Sequence, residues 1–404
     1  MTSQLLAVGA AASNSPRPRV LVRRGTQRYA TTLAALRDFA PPASPTTRVL
    51  IKPNAGRCVA PGLGITTHPD VVAATCDYFR ERGASLAIGE GTILGVTPTE
   101  CFAATGMSRV ALEREIPLLD FDALPARKTP VPHGVVLTHL MITSALDGFD
   151  CLVSVPVMKT HMHCGVSLGL KNLKGCLRGR EKVRLHQLPP CAKVPSAKSL
   201  DLAIADMATV LRPQLVVVDG FTGMQGLGPS AGSQLHPHLV VVSDNVLAAD
   251  AVAATLMGFD PQEIAHLLLA AQLGVGVIDL AQIEIDPPEW RRWTTPFARP
   301  PQKVSFEFKD VHLLDSESCS ACLSTMLIFA QRYYAEVADY LPLSFAIGKG
   351  HVALPHQTFC VGNCTAKAAA GGHVFIKGCP PVASEILRAV RNQRKRSSAH
   401  NKKC

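Results

Sequence analysis

Several features that would assign this chain to a class are scarce or missing. No apolar run reaches the roughly 18 residues that a membrane-spanning helix needs. Aromatic residues make up only 5% of the 404 residues, which leaves little to stack on nucleic-acid bases. No secretory signal is visible at the N-terminus. We therefore expect a cytoplasmic globular protein with no membrane partner, and the composition argues against a nucleic-acid partner.

The positive charge is unevenly distributed. Of the net charge of +10, a contribution of +7 comes from the Lys and Arg residues after Glu385, where no acid occurs. The body of the chain is therefore only mildly basic, and a short cationic chain end is usually solvated. We expect residues 388–404 to form a basic tail and residues 1–18 a disordered N-terminal tail.

Short β-branched runs alternate with helical patterns over residues 19–286, which is typical of a sheet covered by helices. The pattern predicts an α/β domain with a Rossmann-like mixed or parallel sheet and helices on both faces. Strands are predicted at 19–24, 48–52, 86–88, 151–155, 215–218 and 239–242, and helices at 31–39, 69–82, 200–211 and 245–257. The proline-rich stretch 287–302 is predicted to be a linker to a smaller Cys-rich module at 303–387.

Polar residues cluster just after several predicted strands, where ligands bind in sheets of this kind. After the strand at 151–155, a long loop holds seven Lys and Arg residues between positions 159 and 184 against one acid, Glu181. Such a loop would attract an anion, although a solvated surface loop remains an alternative. A glycine-rich turn at 220–232 is either a phosphate cradle or a plain turn.

These positions predict a pocket for a small anionic substrate. Lysines would fix its carboxylate or phosphate, and His161 would move a proton. Asp219 is a candidate ligand-orienting carboxylate, with a capping role as the alternative. The predicted catalytic residues are His161, Lys159 and Lys171, and the predicted substrate-binding residues are Lys52, Asn54, Asn172, Lys174 and Asp219.

Five of the 13 cysteines lie between positions 319 and 379, beside Gly, Asn and Pro. Soft thiolates select iron–sulfur clusters, zinc or copper(I). We predict a [4Fe–4S] cluster on Cys319, Cys322, Cys364 and Cys379, with Cys360 as a neighbour or alternative ligand. Structural zinc stays open, since a Cys-x2-Cys pair with two further cysteines also suits a tetrahedral site. The thiols at 58, 76, 101, 151 and 191 are expected to be packed in the core.

Several segments together resemble one protein family. VLIKPN at 49–54, KTH at 159–161, LKNLKG at 170–175 and GLGP at 226–229 occur in the order seen in the DUF362 family. The resemblance covers roughly residues 19–285. It implies an α/β domain with a strand-end pocket, and many family members look like iron–sulfur proteins with an attached ferredoxin repeat. This chain lacks the ferredoxin run Cys-x2-Cys-x2-Cys-x3-Cys-Pro, so the cysteines at 319–379 would form an atypical module with a single cluster.

The combined expectation is an iron–sulfur oxidoreductase or redox partner that acts on a small anionic metabolite and exchanges electrons with a partner protein. Two alternatives remain open. One is a non-redox [4Fe–4S] lyase or sulfur-transfer enzyme, which would leave one iron without a protein ligand. The other is a zinc-stabilised metabolite-binding protein without catalysis.

Overall fold

The computed structural model describes residues 17–93, 96–300, 308–318, 320–378 and 380–400. The chain divides into two compact units, residues 1–300 and 301–404. Nearly all of the predicted N-terminal tail lies outside the described residues, and so do the predicted cluster ligands Cys319 and Cys379.

Unit 1 is built on an 11-stranded mixed sheet, accompanied by a two-stranded hairpin of β5 and β6. Its strands are β1 (Arg19–Arg24), β2 (Arg48–Pro53), β3 (Ser85–Glu90), β4 (Leu118–Asp120), β5 (Ala126–Pro130), β6 (His139–Thr143), β7 (Cys151–Val155), β8 (Val157–His161), β9 (Gly165–Ser167), β10 (Leu215–Gln225), β11 (Ser233–Leu235), β12 (Leu239–Ser243) and β13 (Glu284–Asp286). Its helices are α1 (Arg28–Phe39), α2 (Pro69–Arg80), α3 (Pro98–Ala104), α4 (Met107–Glu113), α5 (Gly169–Asn172), α6 (Glu181–Arg184), α7 (Ser199–Val210), α8 (Val246–Leu256) and α9 (Ala265–Gln272).

The main path of the sheet has the strand order β13-β1-β12-β10-β7-β2-β3-β4. From β10 to β4 all neighbours are parallel, whereas β12 is antiparallel to both β10 and β1. Because β2, β3, β7 and β10 run in the same direction, their carboxyl ends meet at one edge of the sheet. The residues that follow these strands are thereby brought together.

Apolar side chains cover both faces of the central strands. Leu215 and Val217 pack on one side with α1 and α2, while Val216 and Val218 pack on the other with α7, α8 and α9. Successive residues of a strand point to opposite faces, so a strand buried on both sides must be apolar throughout. The predicted α/β class with helices on both faces is confirmed.

Two polar stretches differ from the prediction. The segment after β7 was expected to be a long loop, but residues 157–161 form β8, which pairs with β10 and β9. The predicted glycine-rich turn at 220–232 is partly strand, since β10 continues to Gln225. Charged and glycine residues lower strand propensity, and here the pairing with neighbouring strands overrides that propensity.

Unit 2 is a four-stranded parallel sheet with its strands in chain order. Its elements are β14 (Val311–Asp315), α10 (Ser320–Tyr333), β15 (Leu343–Ile347), β16 (Phe359–Val361), α11 (Ala366–Ala369), β17 (Val374–Ile376) and α12 (Ala383–His400). Phe329 of α10, Phe345 of β15 and Ile386 of α12 meet in its core. The two long helices therefore cover one face of the sheet.

The ends of the predicted domains also differ from the structure. Residues 287–300, expected to be a linker, belong to unit 1, where Trp290 and Phe297 are buried. The start of the predicted basic tail is helical, and Val390 of α12 packs in the core of unit 2 because the apolar residues of this segment recur at helical spacing. Among the described residues, no helix is both long and apolar enough to cross a bilayer.

Candidate functional site

A buried ion pair lies at the carboxyl edge of the unit 1 sheet. The Lys52 ammonium donates to Glu90 at 2.7 Å, and the two side chains are only 1% and 3% exposed. Lys52 also donates to the Pro53 carbonyl at 2.8 Å and to Asn172 Oδ1 at 3.1 Å. An ammonium has three donors, so all of those on Lys52 are used within the protein.

Asn172 ties this pair to the neighbouring strands. Its Nδ2 donates to the Lys52 carbonyl at 3.2 Å and to Ser154 Oγ at 3.0 Å, while its Oδ1 also lies 3.4 Å from Asn54 Nδ2. Three of the predicted substrate-binding residues, Lys52, Asn54 and Asn172, are thus brought together. They form a satisfied polar network, which gives the floor of the site a fixed geometry.

Lys159 lies on β8, next to this network. It is 4% exposed, and its ammonium donates to the Ile65 carbonyl at 2.6 Å and to Asn54 Oδ1 at 3.2 Å. Burial lowers the pKa of Lys159 well below its usual value, and the charges of Arg57 and Lys171 lower it further. The surroundings therefore oppose any additional positive charge.

His161 ends the same strand and is 3% exposed. Its Nδ1 accepts a hydrogen bond from the His163 backbone N–H at 3.2 Å, which places the ring proton on Nε2. Burial, followed by the nearby charge of Lys171, lowers the pKa of His161 well below its usual value. The ring is neutral, and no partner of its Nε2–H is found in the part of the chain that the structure describes.

Lys171 lies on the short helix α5 and is half-buried. Among the described residues, its ammonium has neither a hydrogen-bond acceptor nor an ion-pair partner. Burial lowers the pKa of Lys171, and Arg57 lowers it further, whereas Cys164 and Asp201 raise it. Lys171 Nζ and His161 Nε2 are therefore two donors of the site for which the described residues supply no acceptor. Lys171 and Arg57 contribute positive charge close to them.

The backbone of α5 is fixed by a buried aspartate of α8. Asp250 accepts from the Gly169 N–H at 2.7 Å and from the Leu170 N–H at 2.8 Å. These are two of the N–H groups that a helix start leaves without a partner. Burial raises the pKa of Asp250 to about 7. Asp250 thus fixes the start of the helix that carries Lys171, and its hydrogen bonds go to the backbone of α5.

The other two predicted substrate-binding residues are placed differently. Lys174 contacts the ring of His186, whose pKa is lowered well below its usual value by burial and then by Lys174. Asp219 accepts from the His68 N–H at 2.8 Å, at the start of α2, and from the Phe221 N–H at 3.2 Å. Its charged neighbours are Arg28 and Asp70 rather than the pocket lysines. The contacts of Asp219 therefore fit the capping role that was the alternative to orienting a ligand.

In unit 2, the cysteine-bearing loops follow parallel strands and gather at one sheet edge. Cys322 lies in the first turn of α10, and its sulfur is 2.9 Å from the position that a Cβ on Gly362 would take. The next residue, Asn363, donates its N–H to the Gly378 carbonyl at 2.8 Å and accepts from the Gly378 N–H at 2.9 Å. The turn at Gly362 and Asn363, which directly precedes Cys364, thus lies next to Cys322 and to the chain just before Cys379.

Cys360 differs from these thiols because it lies within β16. Its strand neighbours Phe359 and Val361 pack in the core with Cys322. Since side chains alternate along a strand, Cys360 projects from the opposite face of the sheet. The described cysteines Cys322 and Cys364 therefore share one loop region, from which Cys360 is separated.

A comparison with known protein families shows which family this chain belongs to. The model of DUF362, a domain of unknown function, matches residues 49–255, which is about half of the chain. The chain belongs to the DUF362 family. The match includes every predicted pocket residue of unit 1 and ends before the cysteine-rich unit 2.

Two known proteins are similar to this DUF362 chain. A thylakoid-associated protein from Synechocystis sp. is 25% identical over 262 residues, which cover 63% of this chain and 79% of that protein. The lactate racemase apoprotein from Thermoanaerobacterium thermosaccharolyticum is 14% identical, with a TM-score of 0.38. That alignment covers 60% of this chain and 57% of the racemase chain, so the chain spans little more than half of the solved protein.

Sequence reasoning missed three members of the DUF362 pocket. Glu90 neutralises Lys52, Arg57 acts on both Lys159 and Lys171, and His186 contacts Lys174. Glu90 had a usable signal, because it closely follows the strand predicted at 86–88 and is flanked by glycines. Arg57 and His186 lie in segments without a distinguishing pattern, so only the folded chain reveals their positions.

Proposed function

We propose that this DUF362 protein is an iron–sulfur oxidoreductase or redox partner that acts on a small anionic metabolite bound in the strand-end pocket of unit 1. The observation that carries the proposal is the pair of donors Lys171 Nζ and His161 Nε2, for which the described residues supply no acceptor, in a mainly cationic site. Because no acceptor for either donor is found among the described residues, both are available to an anionic ligand.

The surrounding charges favour a carboxylate or phosphate. Arg57, Lys159 and Lys171 oppose one another's charge, and Glu90 is already paired with Lys52. An anion would relieve this repulsion and accept charge-assisted hydrogen bonds. Lys171 would bind an anionic oxygen, and the neutral His161 would donate its Nε2 proton to a second oxygen of the ligand and hold or release that proton during the reaction.

The cysteines of unit 2 supply the reason for proposing redox chemistry. The donor set of Cys322 and Cys364, with Cys319 and Cys379 adjoining the same loops in sequence, consists of soft thiolates that suit an iron–sulfur cluster. Gly362 leaves room beside the Cys322 sulfur that a larger residue would fill. When bound, a cluster of this kind supplies one-electron transfer, and we expect an electron-transfer partner protein to exchange those electrons in the cytoplasm.

Anion binding can be tested by titration calorimetry with oxalate and inorganic phosphate as separate probes. We expect at least one probe to bind the wild-type protein, and Lys171→Met to weaken that binding by about tenfold or more, because a hydrogen bond to a charged group contributes about 1.5–3 kcal/mol. Lys193→Met removes an exposed lysine of the same unit and is the matched control. Equal affinities for all three proteins would contradict the proposed pocket.

A further inference from the structure

The buried lysines of unit 1 differ in whether a carboxylate neutralises them. Lys52 donates to the Glu90 carboxylate at 2.7 Å, and Lys182 donates to the Asp122 carboxylate at 2.7 Å. Lys159 is buried as well, yet no carboxylate lies within ion-pair distance of it among the described residues. Because a buried charge without a counter-charge is costly, burial favours the neutral amine form of Lys159.

The hydrogen bonds of Lys159 fit this neutral form. Its Nζ donates to the Ile65 carbonyl at 2.6 Å and to Asn54 Oδ1 at 3.2 Å, and the described part of the chain supplies no third acceptor. A neutral amine has two N–H groups and one lone pair, whereas an ammonium has three N–H groups and no lone pair. The two contacts therefore use both N–H groups of the amine and leave its lone pair available to attack a carbon atom. The lowered pKa of Lys159, caused first by burial, agrees with this protonation state.

Burial has the opposite effect on the reactivity of the thiols of unit 1. It raises the pKa of Cys76 and of Cys101 to about 12, so both thiols stay protonated near neutral pH. Cys58, which was expected to be packed in the core as well, is exposed. Burial stabilises the neutral form of a thiol and of an amine alike, but only for the amine is the neutral form the nucleophile. Lys159 is therefore better suited to covalent chemistry than these buried thiols.

Strand β8 places a hydrogen-bond donor on the same side as this amine. Lys159 and His161 are separated by one residue, so their side chains point to the same face of the strand, with Cα atoms about 6.5 Å apart. The Nε2–H of His161 has no acceptor among the described residues. A small molecule lying between the two side chains could present a carbonyl carbon to Lys159 and the carbonyl oxygen to His161.

We propose that Lys159 forms an imine with the substrate, which is accordingly a small anion that carries an aldehyde or ketone group, such as an oxo acid. This inference rests on the proposed function, because Lys171 would hold the anionic group of the same molecule.

The reaction joins an amine to a carbonyl group and releases water. The lone pair of Lys159 Nζ attacks the carbonyl carbon, a C–N bond forms, and the π electrons of the carbonyl group move to its oxygen. The His161 Nε2–H donates a hydrogen bond to that oxygen and stabilises the negative charge that develops there. One amine proton moves to the oxygen, which gives a carbinolamine, and the second leaves with the hydroxyl group as water. The product is a neutral imine, and no oxidant or reductant is consumed.

The test traps the imine in the full-length protein with sodium cyanoborohydride, using glyoxylate, an anionic aldehyde, as the probe. The reagent reduces the C=N bond to a stable amine, so each modified lysine is measured by peptide mass spectrometry. We expect the adduct at Lys159 to exceed that at the exposed Lys193 about tenfold or more, since at pH 7 only about one in 10³ exposed lysines is a neutral amine. Excess oxalate, which has no aldehyde group, should prevent the adduct at Lys159 and leave that at Lys193 unchanged.

Two further samples serve as controls. Unfolding the protein in concentrated urea should abolish the preference for Lys159, because both side chains are then exposed. Lys171→Met should lower the adduct at Lys159 at limiting glyoxylate, because it removes the group that would hold the carboxylate, and it should leave the adduct at Lys193 unchanged.

The outcomes separate the imine from the proposed function. Equal adducts at Lys159 and Lys193 in the folded protein would overturn the imine. If oxalate binds in calorimetry while Lys159 stays unmodified, the imine fails and the proposed anion pocket stands. If Lys159 is modified but oxalate neither binds nor protects it, the amine is a nucleophile, and the anionic substrate class is overturned together with the proposed pocket.

Discussion

Both units place their candidate functional residues beyond the ends of parallel strands, but they hold them in different ways. In unit 1, a buried ion pair and a saturated set of side-chain hydrogen bonds fix the floor under Lys171 and His161. In unit 2, the loops around Cys322 and Cys364 are joined mainly by backbone contacts at Gly362 and Gly378. The first site is thus held by hydrogen bonds between side chains, whereas the described contacts that join the loops of the second run mainly along the backbone.

The largest expected effect is a complete loss of metal from unit 2 that leaves anion binding in unit 1 unchanged. Cys322→Ser and Cys364→Ser should each abolish the binding of metal, because each removes a thiolate ligand, while leaving anion affinity in unit 1 unchanged. Iron, zinc and sulfide analysis of the purified variants measures the loss. Cys151→Ser, at a half-buried thiol of unit 1, is the control and should retain the metal. Full retention in both unit 2 variants would show that these thiols are not ligands.

Breaking the buried Lys52–Glu90 ion pair should destabilise the fold of unit 1. Lys52→Met leaves the buried Glu90 carboxylate without its partner, and we expect it to lower the free energy of unfolding by about 3–5 kcal/mol. Urea unfolding followed by circular dichroism measures this loss. The double variant Lys52→Met/Glu90→Leu removes both buried charges and should recover much of it. A single variant as stable as the wild type would mean that the pair does not organise the site.

Asp250 should give the stability of unit 1 a recognisable pH dependence. Burial raises its pKa in the folded protein from 3.8 to about 7. Between about pH 4 and pH 7 the folded state therefore binds a proton that the unfolded chain has released, so stability falls as pH rises, by at most about 1.4 kcal/mol per pH unit. Asp250→Asn cannot titrate and should lack this contribution.

Urea unfolding across that pH range compares Asp250→Asn with the wild type. Glu100→Gln, which removes an exposed carboxylate, should keep the wild-type slope. An identical slope in Asp250→Asn would show that the buried carboxylate does not take up a proton on folding.

The smallest effect tests the space around the unit 2 thiols. Gly362 has a φ of +93°, and an added Cβ would lie 2.9 Å from Cys322 Sγ. Gly362→Ala should cost roughly 1–2 kcal/mol of stability from the backbone conformation, and it should also weaken metal retention. Gly372 has a similar φ of +87° but no atom within 4 Å of such a Cβ. Gly372→Ala should therefore cost stability and retain the metal, and equal metal loss in both variants would contradict a specific role for Gly362.

The sequence was informative where burial follows a simple pattern. Runs such as 215–218 and 239–242 are β-branched and buried on both faces, and both form strands of the sheet. The strand at 157–161 was missed because Lys159 and His161 would be exposed in an ordinary strand, and their burial depends on partners from other segments. The grouping of pocket residues was predicted by the rule that parallel strands end at a common edge.

The sequence could not predict which lysine of that group uses all its hydrogen-bond donors within the protein. Lys52 and Lys171 follow similar local patterns, yet Lys52 uses all its donors on Glu90, Pro53 and Asn172, while no acceptor for Lys171 is found among the described residues. Which lysine is saturated depends on distances between segments 120 positions apart in the chain. Cys319 and Cys379 lie outside the described residues, so their roles stay predictions.

The most direct test of the iron–sulfur proposal is metal analysis of the full-length protein purified without oxygen. We expect iron and acid-labile sulfide in equal amounts, a brown colour, and an electron paramagnetic resonance signal in one redox state of the cluster. A colourless protein that holds a single zinc ion and no sulfide would contradict the proposal.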